Sequence, residues 1–508
     1  MRLFIFAIGG TGSRVLKSLV MLSAAGVKPL DEDGRPIPNV ELVPIIIDPH
    51  KSNEDLKRTE QMLTEYCTIR EKIYGREVNG DGFFGTKIST LRSIMGMTAT
   101  TINDTFIFNM EAVGQTKFRQ FISYDTMDEP NQALTSLLFA DYQLENKMNI
   151  GFVGSPNIGS VALNMIKDSE EFKAFANVFG EGDRIFFISS IFGGTGAAGF
   201  PILVKNIRQA QNLDVSNKNF LRQAPIGGLT VLPYFNLNLN NSQGKSIDKA
   251  DFVVKTQSAL QYYNETLTGD ADRNVNAIFY LGDQTSSIPY DYDPGNIRDQ
   301  HNPAHLVEMV GAMAALKFAG MADRQFLDGM GGFLPTKAFE YGLDKDLLDV
   351  DFTTFGQETR HLIYRPMVKF HMLFIYMRTA LKAIIGQGYT QDEPKIRSEF
   401  TTTQFYRTLV DQFFDFYTEW LTEMHQNLRH VELFNVGENN LSNIIHNVVT
   451  KKGFFGRKSV DENTFNSEMN KLSRDNKKYS DRTVEYKLLD LFNQAAGNIL
   501  DEKYENIN

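Results

Sequence analysis

An unbroken apolar run at 3–8 (LFIFAI) is followed at once by Gly9-Gly10-Thr11-Gly12 and then by an amphipathic stretch over 13–25. Continuous apolar runs of this length predict strands covered on both faces, as in a parallel sheet. A second run at 40–47 (VELVPIII) ends at Asp48-Pro49. Further strands are expected at 149–153, 184–189, 226–232 and 277–281, with helices over 159–178, 200–212, 246–267 and 303–320. Strands alternating with helices predict an α/β fold with a doubly wound, mainly parallel sheet.

Residues 54–148 break this rhythm and read as a large insertion of short helical pieces between the second and third strands. Beyond about 345 the spacing turns helical, at 360–385, 402–430 and 484–500, with a polar stretch at 437–483 between the last two. The expected division is a nucleotide-binding α/β unit over 1–330 and a mostly helical region over 331–508. Composition narrows the function classes. With 42% hydrophobic and 22% charged residues the chain is ordinary globular material, and a net charge of -10 argues against a nucleic-acid partner. Cys67 stands alone, so no internal disulfide forms and a cytoplasmic setting is expected. One cysteine and 8 scattered histidines also argue against a Cys/His structural metal site. The longest apolar stretch, 367–386, carries Lys369, His371, Arg378 and Lys382, which makes it a core helix rather than a membrane span.

The chemistry lies in three glycine-bearing turns, each placed after a predicted strand: 9–13 (GGTGS), 151–159 (GFVGSPNIG) and 193–196 (GGTG). Glycine lets backbone approach a ligand, and the helix that follows presents unpaired amides and a partial positive charge to an anion. In a parallel sheet such turns share the carboxyl edge, where they can surround a polyphosphate. A dinucleotide-binding G-x-G-x-x-G is incomplete at Gly10-Thr11-Gly12, although Asp48 stands where a ribose contact would be, so an NAD(P)-dependent oxidoreductase stays open. Gly244-Lys245-Ser246 mimics the end of a P-loop, but residue 239 is Leu and no strand precedes it.

Taken together, 7–12 (AIGGTG), 47–48 (ID), 154–159 (GSPNIG), 193–201 (GGTGAAGFP), 229–235 (LTVLPYF) and 278–284 (IFYLGDQ) resemble the motifs of the tubulin/FtsZ superfamily in order and in most spacings. The similarity covers somewhat under half the chain and is that of a divergent prokaryotic member. It implies GTP or GDP, with ATP an alternative, together with Mg²⁺. By position, Gly9, Gly10, Thr11, Gly12 and Ser13 would face the inner phosphates. Gly193, Gly194, Thr195 and Gly196 would hold the outer ones, with Gly154, Ser155 and Asn157 on the other side. Asp48 would reach the metal, through water or directly, and Asp283, Gln284 and Asn302 would meet the base. The family's water-polarising acid would correspond to Asp349 or Asp351. Residues 236–240 (NLNLN) replace its sugar-binding Glu and Arg, and Asn302-Pro303 also reads as a helix cap. The resemblance further implies a GTPase that self-assembles into filaments, or a vestigial relative that binds nucleotide without turnover. Residues 451–458 (KKGFFGRK) offer a contact to a protein or membrane surface.

Overall fold

Strand β1 (Arg2–Ile8) sends Leu3, Ile5 and Ala7 into one core and Phe4, Phe6 and Ile8 into another, all six side chains fully buried. That two-sided burial is why the run carries no polar alternation. The computed structural model describes the chain except for 51–52, 76–79, 97–101, 111–112, 114–115, 149–150, 153–154, 235, 238–248, 270–272, 284–288, 291–301, 436, 454–455, 475–480 and 506–508. Around β1 lie β2 (Glu41–Ile47), β3 (Lys87–Ile88), β4 (Arg184–Ser190), β5 (Ile226–Val231), β6 (Ala277–Gly282) and β7 (Lys337–Gly342). They form one seven-stranded sheet in the order β3-β2-β1-β4-β5-β6-β7, with every pairing parallel. The strand order reverses its direction of growth between β1 and β4, which is where ligands bind in open α/β sheets.

Pro44 sits inside β2 without costing a β1 hydrogen bond. Ile46 N–H donates to Phe106 rather than to β1, so the missing N–H of Pro44, two residues away, also points to the outer side.

On one face of the sheet pack α1 (Gly9–Ala24), α2 (Glu54–Tyr74) and α7 (Leu306–Gly320). The other carries α3 (Pro156–Asn164), α4 (Glu170–Val178), α5 (Gly194–Arg208) and α6 (Lys249–Thr266). Later helices, α8 (Gln357–Thr379), α9 (Phe414–Gln426), α10 (Glu462–Arg474) and α11 (Val484–Lys503), extend the first face's core. Phe84, for example, meets Phe370 at 5.9 Å and Phe413 at 5.1 Å between ring centroids. None of the described helices is long and apolar enough to cross a membrane.

Several expectations shift. Residues 54–74 form one long helix against the sheet, not insertion pieces: Leu56, Thr59, Met62, Leu63, Tyr66, Ile69 and Ile73 recur at helical spacing and are buried. The strand expected at 149–153 is described only at 151–152, which belong to no strand of the sheet; the third strand is instead the two-residue β3. Edge strand β7 escapes the pattern because its residues are mostly exposed. Finally, α1 and α5 start inside the glycine motifs, at Gly9 and Gly194, earlier than the expected 13 and 200. Strand β1 runs straight into α1, whereas residues 191–193 separate β4 from α5; in both, glycines lie within the first helical turn.

Candidate functional site

Close packing explains the glycines. A Cβ on Gly12 would lie 2.5 Å from the Ala7 carbonyl carbon, and one on Gly196 would lie 2.7 Å from Ser190 O, each against the backbone of the preceding strand. Gly9 has φ +69°, which favours glycine. These constraints press the starts of α1 and α5 onto the ends of β1 and β4.

The three motifs meet. From Gly9 a Cβ would point to within 3.7 Å of Thr195 Cβ and 3.9 Å of Gly196 N. From Gly151 it would lie 3.8 Å from Thr195 Oγ1, and from Gly159 it would lie 2.9 Å from Gly194 O. Loops 9–13, 155–159 and 193–197 therefore adjoin at the carboxyl edge; Gly154 lies outside the described residues.

Helices α1, α3 and α5 begin without a side-chain cap, as do the helices at 218–223 and 357–379. The N-cap positions of α1, α3 and α5 are Ile8, Ser155 and Gly193; none makes a side-chain cap bond, and no acidic residue occupies any of the three first turns. Elsewhere Asn53, Thr90, Asp128, Ser169, His305, Thr403 and Thr483 cap their helices. Three helix N-termini left with free amides at one place form a site of positive potential suited to an anion. Thr11 and Thr195, 8% and 9% exposed, make no side-chain hydrogen bond within the described residues. Ser13 is fully buried and its hydroxyl turns back to Gly9 O at 3.5 Å. Ser155 Oγ and Asn157 Oδ1 both accept from Gln143 Nε2, at 3.3 and 3.2 Å, which ties the 141–144 helix to this rim.

Asp48 follows β2, is 5% exposed and accepts one hydrogen bond, from His50 N at 2.9 Å. Burial pushes its carboxyl up to about 7, only partly opposed by that bond. A carboxylate this poorly served by donors fits a cation, and one carboxylate beside phosphate oxygens is an ordinary Mg²⁺ environment. Sequence reasoning missed its neighbour Asn53. Its Oδ1 caps α2 by accepting from Asp55 N at 2.9 Å, while its Nδ2 faces Gly10, 3.6 Å from where a Cβ would stand. The signal was available as Asn53-Glu54-Asp55 ahead of an apolar periodicity.

Behind the glycine-lined edge lies a buried ionic network, also missed. Arg14 and Lys17 on α1 project into it, Arg14 pairing with Glu308 at 2.8 Å and Lys17 with Glu423 at 3.2 Å. Glu423, on α9, also takes Arg58 at 2.7 Å and the Ala304 N–H at 2.8 Å. Burial works against its charge, but Lys17 and Arg58 outweigh it and hold the carboxyl below its ordinary range. Glu308 is the reverse, its carboxyl raised by burial despite Arg14. Charged positions on an otherwise apolar helix face were the clue.

Two residues expected at the base join this network. Asn302 donates through Nδ2 to Asp55 at 2.9 Å, and Asp283 accepts twice from Arg429, at 2.9 and 2.5 Å. Asn302 is not the cap of α7; His305 is, its Nδ1 accepting from Val307 N. Burial depresses His305 to about 4, so it is neutral at pH 7 with its proton on Nε2, 3.6 Å from Asp283. Gln284 lies outside the described residues. Of the two expected water-polarising acids, Asp351 is 6% exposed and takes bonds from Thr353 N, Thr353 Oγ1, Thr354 N and Asn447 Nδ2. Burial opposes its charge, yet those bonds prevail and keep the carboxyl low. Asp349 keeps a side chain 90% exposed. Within 451–458, Phe454 and Phe455 lie outside the described residues; 452–453 and 456–457 pair as a short exposed hairpin.

No protein-family model matches the chain, and no curated protein matches it. Among solved structures it is similar to CetZ2 from Haloferax volcanii, solved as a GTPγS-bound protofilament, at 12% identity and a TM-score of 0.29, covering 65% of this chain and 60% of that one. It is also similar to CetZ from Methanosaeta thermophila strain DSM 6194, at 11% identity and a TM-score of 0.23, covering 63% of this chain and 52% of that one. The chain thus spans between half and two thirds of the chains it is similar to, and overlaps this partial say nothing of what it does.

Proposed function

We propose that this protein binds a nucleoside triphosphate, GTP by the resemblance of its motifs to tubulin and FtsZ, and that binding governs its self-assembly. The observation that carries the reading is the convergence of three uncapped helix N-termini at the switch point of a parallel sheet. Backbone amides of 9–13 and 193–197 hold the phosphates, with Ser155 and Asn157 on the far side. The Thr11 and Thr195 hydroxyls and the Asn53 amide add donors, and Asp48 holds Mg²⁺, which when bound neutralises charge on the outer phosphates. Turnover would draw on Asp349 rather than Asp351, because Asp349 alone has its carboxylate open to a neighbouring subunit. On the 129–138 helix, Leu134, Leu137 and Leu138 are 54%, 84% and 61% exposed, an apolar face of the kind that marks protein contact.

Equilibrium binding of labelled GTP, ATP and NAD, with light scattering and phosphate release followed against protein concentration, tests the reading. GTP binding with release rising steeply in concentration supports assembly-coupled hydrolysis. Binding without release means a nucleotide held as a fixed cofactor. Tight NAD binding with GTP ignored overturns the proposal.

A further inference from the structure

At the carboxyl end of α9 the structure gathers His425, His430 and Glu432, each offering one donor atom, with the three atoms within 4.8 Å of one another. All three side chains are partly exposed, so an ion can reach them. Their placement is rigid. His425 sits in the last turn of α9, and Asn427 just beyond is anchored through Nδ2 to Ala304 O at 3.1 Å. His430 and Glu432 are two apart on an extended segment, held by His430 N to Leu348 O and Glu432 N to Val350 O, both 2.8 Å. Residues two apart on such a segment share a face.

We infer that His425, His430 and Glu432 bind a zinc ion, with a water completing its tetrahedron. Two imidazoles and one carboxylate form a borderline-soft donor set suited to Zn²⁺ and poorly suited to Mg²⁺. Ligands at about 2.0–2.1 Å from a tetrahedral centre stand about 3.3 Å apart, and His425 Nε2 lies 3.4 Å from His430 Nε2. The competing arrangement is a plain imidazole–imidazole hydrogen bond, for which His430 Nε2 and His425 Nδ1 are 2.8 Å apart.

The outer groups favour the metal. A zinc-bound histidine ordinarily gives its other ring N–H to a carboxylate. His430 Nδ1 lies 3.3 Å from Asp349 Oδ1, fixed there because Asp349 is its register partner in the two-residue parallel ladder. Glu432 is steadied from outside by His446, whose Nδ1 is 3.4 Å from Glu432 Oε2 and 2.8 Å from Asn435 Oδ1. Neither outer contact uses His430 Nε2 or Glu432 Oε1, and zinc would take the place of the hydrogen bond between His430 Nε2 and His425. Zinc there would clamp the end of α9 to the 430–432 segment. The three ligands take no part in the nucleotide reading, and the two sites meet only at Asp349, the acid proposed for turnover.

The test uses the full chain without a histidine tag, stripped by chelator, equilibrated with Zn²⁺, desalted and assayed for metal by mass spectrometry. One equivalent is expected in the native chain. The variants His425→Gln, His430→Gln and Glu432→Gln should each retain at least about tenfold less, and Asp349→Asn should weaken affinity by about 10- to 100-fold. X-ray absorption of the zinc-loaded native chain should count two imidazole ligands, a readout that needs no variant to fold. Native protein retaining no zinc, variants retaining as much as native, or fewer than two imidazoles in the spectrum overturns the assignment.

Discussion

Asp48 carries an electrostatic cost that a ligand would relieve. Its carboxyl is raised from 3.8 to about 7, so between those values the folded chain holds a proton that the unfolded chain has lost. Stability from this group therefore falls as pH rises through the window, and above pH 7 the whole penalty stands. Asp48→Asn should stabilise the ligand-free protein by roughly 2 kcal/mol or more at pH 8, with the gain vanishing near pH 4; urea unfolding at the two pH values checks it. In native protein, Mg²⁺-dependent nucleotide affinity should drop between pH 8 and 6, as protons compete for the carboxylate. Thr195→Val keeps side-chain volume and removes a hydroxyl with no hydrogen-bond partner among the described residues, so thermal stability should hold. Its GTP affinity should fall roughly tenfold, the worth of one hydrogen bond to a charged group. Gly12→Ala is the opposite case. Its methyl meets the Ala7 backbone at 2.5 Å, so a loss of about 1–3 kcal/mol is expected in the unfolding midpoint before any effect on ligand.

Elements explain what the chain's pattern disclosed and what it concealed. Strands β1, β2, β4, β5 and β6 were legible because burial on both faces leaves an unbroken apolar run. The glycine-lined edge was legible because glycine is needed wherever helix backbone abuts strand backbone, as at Gly12 and Gly196. By contrast, β3 is two residues long and β7 is mostly exposed, so neither leaves a periodic trace. Helix α2 was readable and was hidden only by the irregular residues after it. The ionic network was illegible for a different reason: Lys17 meets Glu423, 406 positions away, and no local spacing encodes that pairing. Glu423→Ala should cost about 3–5 kcal/mol in urea unfolding, because it strands Lys17 away from water, while Arg58 keeps Asp55 and Glu419. Within α5, Pro201 removes the bond that Ala197 O would accept, and Tyr263 Oη supplies a replacement at 3.1 Å.

Across the whole molecule, the helices from α8 onward share a continuous apolar core with α1, α2 and α7. Glu423 fastens α9 to the two helices that follow the first and second strands. Displacing α9 would thus disturb the helices that form the glycine-lined edge, which gives the carboxy-terminal region a physical route to the candidate site. The sheet's exposed margin sets a further condition. β7 carries Lys337 and Glu340 among its exposed residues, the sort of charged border that discourages another chain from adding its own strand. A chain offering a strand to this margin would have to set its own backbone against that charged border, which disfavours extension of the sheet across copies at β7.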